Sequence, residues 1–290
     1  MDRLTLSARP KLNLRLLVGP VGADGYHPVR TLLVELRGLE DAVTVERAAE
    51  RSVRCDGLDG PANLAWRALD ALERHVDALP PLAVRIEKRI PARAGLGGGS
   101  SDAAATLVGA TRLLGLSLDP ADLERVAAEV GSDVPFFVRG GVRWATGRGE
   151  VLAPGAAPAF AALLARADQG LSTAEVYAAF DRMRPPAPPD DTPTPARAPD
   201  LPAWVRNDLW GPALALRPGL GGVARALRAA GARATLLCGS GSAVAGLFDD
   251  LQAARNAAAR LDPRLVLGAV DFPGWTGGDP SERRDRGPWR

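Results

Sequence analysis

Hydrophobic and polar residues alternate along the start of the chain, which predicts a β-strand over residues 5–18. Three leucines at alternate positions share one face of this strand, and polar residues share the other. Because strand side chains repeat every two residues, Lys11 and Asn13 are expected to lie side by side. Further strands are predicted around residues 30–36, 42–46 and 82–87.

Apolar residues at helical spacing predict three helices in the first half of the chain. One covers residues 63–79 and another has its apolar stripe over residues 103–114. Asp119 and Pro120 are typical of an N-cap followed by the first helical residue, so they predict the start of the third. After this helix come its closing Gly131, a polar turn against an apolar run at 131–137, and a hairpin at 142–144 and 150–152.

The second half of the chain alternates helices and strands without a long parallel series, which favours an α+β fold over a doubly wound sheet. A Pro-rich segment from Pro185 to Pro202 is expected to be an extended surface loop. The other predicted elements are a helix at 173–183, a helix ending near Gly231, a strand at 234–237, a turn at 239–242, a strand ending at Phe248, a helix to about Leu261 and a strand at 265–270.

The length of 290 residues is sufficient for two domains. Small residues and prolines become frequent near Pro154 and Gly155, so the boundary is expected there. The prediction is an N-terminal domain of residues 1–154, a C-terminal domain of residues 155–272 and a tail of residues 273–290.

A stretch from Pro91 to Asp102 stands out because four of its five positions from 95 to 99 are glycine. It follows a predicted strand and enters a predicted helix. Glycines let backbone amides approach an anion closely, and a helix start adds free N–H groups and its dipole. We therefore predict a phosphate-binding cradle made of Pro91, Ala92, Arg93, Ala94, Gly95, Leu96, Gly97, Gly98, Gly99, Ser100 and Ser101.

Two better-known glycine loops do not fit this stretch. A Walker A loop needs Lys and then Ser or Thr after its last glycine, and a dinucleotide fingerprint starting at Gly95 would place Ser100 at its third glycine. The simplest alternative is a strand-to-helix turn with a serine cap. A second glycine turn, Gly239-Ser240-Gly241-Ser242, is either an ordinary hairpin turn or a support for the cradle.

Composition excludes several other classes of protein. The formal net charge of +2 is too small for a nucleic-acid binder. Cys55 and Cys238 lack metal-site spacing and do not form a disulfide framework. No apolar run reaches about 18 residues, so we expect no membrane partner and a cytoplasmic location.

Phosphoryl transfer to an alcohol needs a positioned phosphate, neutralised charge and a group that takes the hydroxyl proton. Asp133, in a turn against an apolar run, is a candidate general base; the alternative is a turn or helix cap. Lys11 is a candidate partner for it, because only two of the 36 basic residues are lysine. The alternative for Lys11 is a solvent-facing strand residue, and Asn13 either orients the acceptor or bridges strands.

Three further residues have side chains suited to binding a substrate or a metal ion. Tyr26 and His27 present aromatic faces and ring nitrogens suited to a pyrimidine, although they could simply pack within a loop. Asp102 would repel a triphosphate, so it either points away and caps the helix or helps to hold Mg²⁺. The sequence does not identify the metal ligands.

Several of these stretches together, in their order and spacing, resemble the GHMP small-molecule kinases. The cradle is similar to the whole superfamily, whereas the two stretches around Tyr26 and Asp133 are specific to the branch that acts on a cytidine-diphosphate-linked methylerythritol. The resemblance covers most of residues 8–150 and, more thinly, 170–248. It rests on the cradle and on Pro10-Lys11-Leu12-Asn13-Leu14, Ala23-Asp24-Gly25-Tyr26-His27, Gly131-Ser132-Asp133-Val134-Pro135-Phe136-Phe137 and Gly239-Ser240-Gly241-Ser242.

The resemblance implies a two-domain α+β kinase with its active site in the cleft between the domains, using ATP and Mg²⁺. The implied acceptor is a small molecule, phosphorylated on its 2-hydroxyl in non-mevalonate isoprenoid precursor synthesis. Lys11 and Asp133 are the implied catalytic pair, and Tyr26 and His27 are implied to hold the cytosine. An aromatic residue after Ser172-Thr173 is implied to contact the same base, and both Tyr177 and Phe180 are candidates.

Three other functions are considered. Another GHMP kinase, acting on homoserine, mevalonate or a sugar, would not need Tyr26 and His27. A non-catalytic nucleotide-binding module would not need both Lys11 and Asp133. A nucleic-acid binder would show strongly salt-dependent binding, which the near-balanced charge does not favour.

Overall fold

The computed structural model describes residues 2–166, 170–183 and 193–275. Helices pack on three sheets whose strands are mainly antiparallel, which confirms the α+β prediction. In chain order the strands are β1 (Arg3–Ala8), β2 (Lys11–Val18), β3 (Val29–Glu35), β4 (Asp41–Arg47), β5 (Ser52–Cys55), β6 (Leu82–Glu87), β7 (Val142–Thr146), β8 (Val151–Pro154), β9 (Phe160–Arg166), β10 (Arg206–Asn207), β11 (Ala234–Leu237), β12 (Ala243–Phe248) and β13 (Val266–Phe272).

The helices lie between and after these strands, and several have the ends that the sequence predicts. The side chain of Asp119 accepts a hydrogen bond from Asp122 N, so the predicted N-cap is confirmed. The α-helices are α1 (Leu64–Glu73), α2 (Gly98–Leu114), α3 (Pro120–Val130), α4 (Val134–Arg139), α5 (Thr173–Met183), α6 (Leu201–Trp204), α7 (Trp210–Leu216), α8 (Gly219–Ala229) and α9 (Leu251–Ala258).

The sheet order brings distant parts of the chain together. The first sheet has the order β1-β4-β6-β5, the second β10-β2-β3-β7-β8 and the third β11-β12-β9-β13. Strand β10 pairs in parallel with β2, so a strand from the C-terminal part of the chain extends a sheet from the N-terminal part. One hydrophobic cluster likewise combines Leu12 and Leu32 with Leu164, Leu236 and Leu247.

The prediction of a single strand over residues 5–18 was wrong, because the chain forms two strands there. Strand β1 pairs with β4 and β2 pairs with β3, in different sheets. Pro10 lies between them and has no backbone N–H to donate to a ladder. The whole of β2 is buried, so its polar face does not meet solvent.

Two helix predictions also need correction. Helix α1 ends at Glu73 and not near residue 79, because the next amides, of Arg74 and His75, bond three residues back in a closing turn. The apolar run after Asp133, for which no helix was predicted, forms the short helix α4. Pro135 is compatible with that helix because it lies in the first turn.

Strand β9 was missed by the sequence analysis. It is a continuous apolar run that is buried between β12 and β13, so it lacks the alternation that identifies a half-buried strand. Strand β5 and helix α7 were also not predicted.

The remaining predictions fall partly outside the described residues. Positions 185–192 of the Pro-rich segment and 276–290 of the tail lie outside them. Within the described part, the last two residues of the Pro-rich segment, 201 and 202, belong to helix α6 and not to a loop. Trp275 pairs with Ala157 in an isolated antiparallel bridge.

Candidate active site

The predicted cradle forms the connection between β6 and α2. Gly95 and Gly97 have φ angles of 77° and 72°, which is the left-handed region that glycine adopts readily. Gly97 is the N-cap of α2 and no side chain caps this helix start, so the alternative of a turn with a serine cap is not supported. Arg93 also has a positive φ, of 54°. The first amides of α2 therefore remain available to an anion.

The second glycine turn packs directly against the cradle. A Cβ placed on Gly95 would lie 1.8 Å from the carbonyl oxygen of Cys238. Ala243 N donates to the carbonyl of Ala94 over 3.1 Å. The turn connects the antiparallel strands β11 and β12, so it is a hairpin turn that also supports the cradle.

Lys11 lies at the start of β2 and contacts the cradle through its backbone and two polar side chains through its ammonium. Its backbone N donates to the carbonyl of Leu96 over 2.9 Å. Its Nζ donates to Asn13 Oδ1 over 2.6 Å and lies 3.7 Å from Asp133 Oδ2. The predicted neighbourhood of Lys11 and Asn13 is therefore confirmed. The ammonium is buried, and an ammonium has three donors, so donors remain after the bond to Asn13.

Asn13 is fixed by a residue that the sequence analysis missed. Its Nδ2 donates to the hydroxyl of Thr31 over 2.8 Å, and both residues are buried. Thr31 lies on the adjacent strand β3, so Asn13 does bridge strands while holding Lys11. Only the pairing of β2 with β3 could identify this partner.

Asp133 occupies the N-cap position of α4, but its side chain makes no capping hydrogen bond. The alternative that Asp133 is a helix cap is therefore not supported. Its side chain is 36% exposed and faces the ammonium of Lys11. The carboxylate is thus close to a buried positive charge and accessible from solvent.

A buried charge cluster lies beneath the start of α2. Lys88 Nζ lies 2.7 Å from Asp102 Oδ2 and also contacts Asp41 Oδ2. Asp41 Oδ1 accepts a bond from the backbone N of Ile90 over 2.7 Å. Within the described part of the chain, Asp102 Oδ1 and Ser101 Oγ have no hydrogen-bond partner. The side chain of Asp102 is thus directed at Lys88, a residue that the rarity of lysine in the sequence could have identified.

Burial, opposed by the Lys88 ammonium and reinforced by the nearby Asp41 carboxylate, raises the pKa of Asp102 from 3.8 to about 7. One ammonium cannot fully neutralise two buried carboxylates. Asp41 Oδ1 accepts hydrogen bonds from the backbone amides of Arg89 and Ile90, whereas Asp102 Oδ1 has no such donor among the described residues. Asp102 is therefore the member of the cluster that holds a proton near neutral pH.

His27 lies in an aromatic cluster contributed by two parts of the chain. Its ring centroid lies 5.3 Å from that of Tyr177 and 5.5 Å from that of Phe180, both on α5. Its Nδ1 donates to the carbonyl of Gly19 over 2.8 Å, and its Nε2 lies 3.1 Å from Asp181 Oδ1. Both candidate aromatic residues thus contact His27, and its ring nitrogens already have partners.

Tyr177 is the more accessible of the two candidates, since Phe180 is buried. Burial, with a contribution from the charge of Asp133, raises the pKa of Tyr177 to about 12. The influence of Asp133 shows that the His27 cluster and the Lys11–Asp133 pair belong to one region. Thr173, at the start of α5, hydrogen-bonds Ser240 of the glycine turn over 2.8 Å.

Tyr26 differs from His27 in being 55% exposed. The guanidinium of Arg148 lies 3.6 Å from the centroid of its ring, and Arg148 also pairs with Asp24 over 2.9 Å. One face of Tyr26 is therefore covered by a cation. Arg148 is a second residue that the sequence analysis missed, because it comes from the turn between β7 and β8.

The described residues contain no group of three or more His, Cys, Asp or Glu that could hold a metal ion. Among the same residues, no helix is both long and apolar enough to span a bilayer. A magnesium ion bound mainly through phosphate oxygens needs few protein ligands. The hydroxyl of Ser101, buried without a partner beside the cradle, is of the type that Mg²⁺ accepts.

Comparisons with known proteins agree with this geometry. The model for the GHMP kinases N terminal domain matches residues 63–141, and the model for the GHMP kinases C terminal domain matches residues 206–265. A solved homoserine kinase from Cytophaga hutchinsonii, 15% identical, shares the fold with a TM-score of 0.66 over 96% of both chains. The protein is an ATP-dependent small-molecule kinase of the GHMP class.

More similar proteins define the family within that class. The 4-diphosphocytidyl-2-C-methyl-D-erythritol kinase of Anaeromyxobacter dehalogenans is 43% identical, over 92% of this chain and 88% of its own. That of Corynebacterium efficiens is 40% identical over 89% of each chain. A solved 4-(cytidine 5'-diphospho)-2C-methyl-D-erythritol kinase is 35% identical with a TM-score of 0.80, over 95% of this chain and 100% of that one. The chain belongs to the 4-diphosphocytidyl-2-C-methyl-D-erythritol kinase family, which confirms the resemblance seen in the sequence.

The contact between the cradle and the glycine turn gives a first prediction. Gly95→Ala should lower the free energy of unfolding by about 3 kcal/mol or more, because its Cβ overlaps the Cys238 carbonyl and its φ is positive. Gly99→Ala is the matched control, since its nearest neighbour is a Leu64 methyl at 3.5 Å. Urea unfolding measures both, and equal stability of the two variants would contradict the contact.

The raised pKa of Asp102 gives a second prediction. Between about pH 4 and pH 7 the folded protein holds a proton that the unfolded chain has lost, so stability falls as the pH is raised from about 5 to about 8. This contribution should be about 2 to 3 kcal/mol. The side chain introduced by Asp102→Asn cannot titrate, so the free energy of unfolding of this variant should lack this part of the decrease. Urea unfolding at about pH 5 and about pH 8 measures the decrease in both proteins. Identical pH dependence of the two proteins would show that Asp102 is ionised throughout.

Proposed function

We propose that this kinase transfers the γ-phosphoryl group of ATP to the 2-hydroxyl of 4-diphosphocytidyl-2-C-methyl-D-erythritol. The relatives named for this substrate support the choice of acceptor. The observation that carries the chemistry is the position of Lys11, bonded to the cradle through Leu96 and 3.7 Å from the Asp133 carboxylate. In this proposal, residues 1–154 and 155–272 are the two domains that flank the site.

The cradle, residues 91–101, binds the phosphates of ATP through its backbone amides and the start of α2. Asp133 takes the proton of the acceptor hydroxyl, which its partly exposed carboxylate can reach. Lys11 orients that carboxylate and offsets the negative charge that develops on the transferred group. Asn13, held by Thr31, keeps the Lys11 ammonium in place.

Mg²⁺ is part of this proposal because triphosphate chemistry needs its charge to be neutralised. The ion would be held by phosphate oxygens and by the unpartnered hydroxyl of Ser101. It would supply electrostatic stabilisation of the phosphates. The Asp102 carboxylate remains with Lys88 in this account.

The cytidine end of the acceptor is assigned to the region around His27. Tyr26 offers an exposed ring for stacking, and Tyr177 offers a second aromatic surface beside His27. Thr173 lies between this region and the glycine turn, through its bond to Ser240. The same region is therefore suited to a ligand that extends from the base to the phosphate cradle.

The acceptor assignment is tested by turnover with Mg²⁺ and ATP. We expect product only with 4-diphosphocytidyl-2-C-methyl-D-erythritol when it is offered beside mevalonate, homoserine and galactose, each tested separately by release of ADP. Tyr26→Ala should raise KM for the acceptor with little change in KM for ATP. Turnover with one of the other alcohols alone would overturn the acceptor, and ATP binding without turnover would overturn the kinase assignment.

The catalytic roles are tested by two nearly isosteric variants. Asp133→Asn should lower kcat by about 10²–10⁴-fold, because it removes a general base. Lys11→Met should lower kcat by about 10²–10³-fold, because it removes the positive charge while keeping a side chain of similar volume. Asp122→Asn, on the exposed start of α3, is the control and should keep wild-type kcat. Undiminished turnover of either site variant, with folding checked by circular dichroism, would refute that residue's role.

A further inference from the structure

A cavity of about 440 Å³ lies away from the proposed catalytic residues, between α8, β10 and β11. None of the residues that line it belongs to the cradle, the Lys11–Asp133 pair or the His27 cluster. Its volume lies within the range of small-molecule sites in proteins. The cavity is therefore large enough for a ligand of its own.

Three arginines line this cavity: Arg206, Arg225 and Arg228. Arg225 and Arg228 are three residues apart on α8, so they project from the same face of the helix. Arg206 Nε is paired with Asp208 Oδ1 over 2.7 Å. In the described part of the chain, no ion pair or hydrogen bond engages the side chains of Arg225 and Arg228, so two guanidinium groups remain for an anion.

Other parts of the wall are apolar and aromatic. Trp210, Leu236 and Leu237 contribute to it, and Trp210 is only partly buried. An indole offers a flat surface on which another ring can stack. Cationic and aromatic groups are thus combined in one cavity.

Asn207 forms the part of the wall nearest to the catalytic region. Its Nδ2 donates to the carbonyls of Leu237 and Gly239, over 2.9 and 2.7 Å, and its Oδ1 accepts from Leu209 N. The donors of this amide are fully used, so it serves as a rigid wall and not as a ligand contact. The cavity therefore lies behind the glycine turn and is separated from Lys11 by that turn.

We propose that this cavity is a second binding site, for a small molecule that combines a phosphate group with an aromatic ring. Arg225 and Arg228 bind the phosphate, since a guanidinium fork matches phosphate oxygens and is weakly hydrated. Trp210 stacks on the ring. The proposal does not depend on the acceptor or the catalytic roles proposed above.

Isothermal titration calorimetry with 1-naphthyl phosphate tests the site in the full-length protein. We expect saturable binding at a 1:1 ratio, with 1-naphthol and inorganic phosphate binding at least about tenfold more weakly, because each lacks one of the two groups. Arg225→Ala/Arg228→Ala should weaken naphthyl phosphate binding by at least about tenfold. Arg255→Ala/Arg260→Ala removes the same charge from exposed positions at α9 and just after it, and should bind as the wild type does.

Two further variants separate this site from the catalytic region and from effects on folding. Trp210→Leu should weaken binding of naphthyl phosphate but not of inorganic phosphate. Lys11→Met should bind naphthyl phosphate with unchanged Kd, and Arg225→Ala/Arg228→Ala should keep wild-type kcat. Unchanged Kd in the α8 double variant, or loss of binding in Lys11→Met, would overturn the proposal.

Discussion

The close approach of Gly95 to the carbonyl of Cys238 is the constraint on which the site depends. The backbones of two segments far apart in sequence meet where any Cβ would collide, at 1.8 Å. This contact fixes the cradle against the turn between β11 and β12, and the bond from Lys11 N to Leu96 O fixes it against β2. Glycine is needed here for the absence of a side chain as much as for its φ angle.

Both lysines of the chain are placed where a compact charge is enclosed by protein. Lys88 contacts the side chains of both Asp41 and Asp102 at the start of α2. Lys11 has a longer carboxylate contact and a hydrogen bond to a neutral amide, which leaves donors of its ammonium for a further partner. Burying an ammonium group costs free energy. An ammonium with a structural role is therefore expected to have carboxylates close to it, whereas one with a catalytic role is expected to keep some of its donors unpaired.

The aromatic region and the proposed second site are both formed by parts of the chain that the sequence separates. His27 contacts Tyr177, about half of the chain away, and Arg206 lines the same cavity as Arg225 and Arg228 of α8. These assemblies surround the glycine turn from two sides. The turn is therefore the structural element shared by the catalytic region and the adjacent cavity.

The sequence alone determined the α+β class, the family, the cradle and the adjacency of Lys11 and Asn13, because glycine spacing and strand periodicity are local properties. Only the tertiary structure decided that Pro10 separates strands of different sheets and that β9 is a central strand, since a run buried on both faces shows no alternation. It also decided the partners of the polar groups. Thr31 beside Asn13 and Lys88 beside Asp102 follow from strand pairing and packing, which no local pattern encodes.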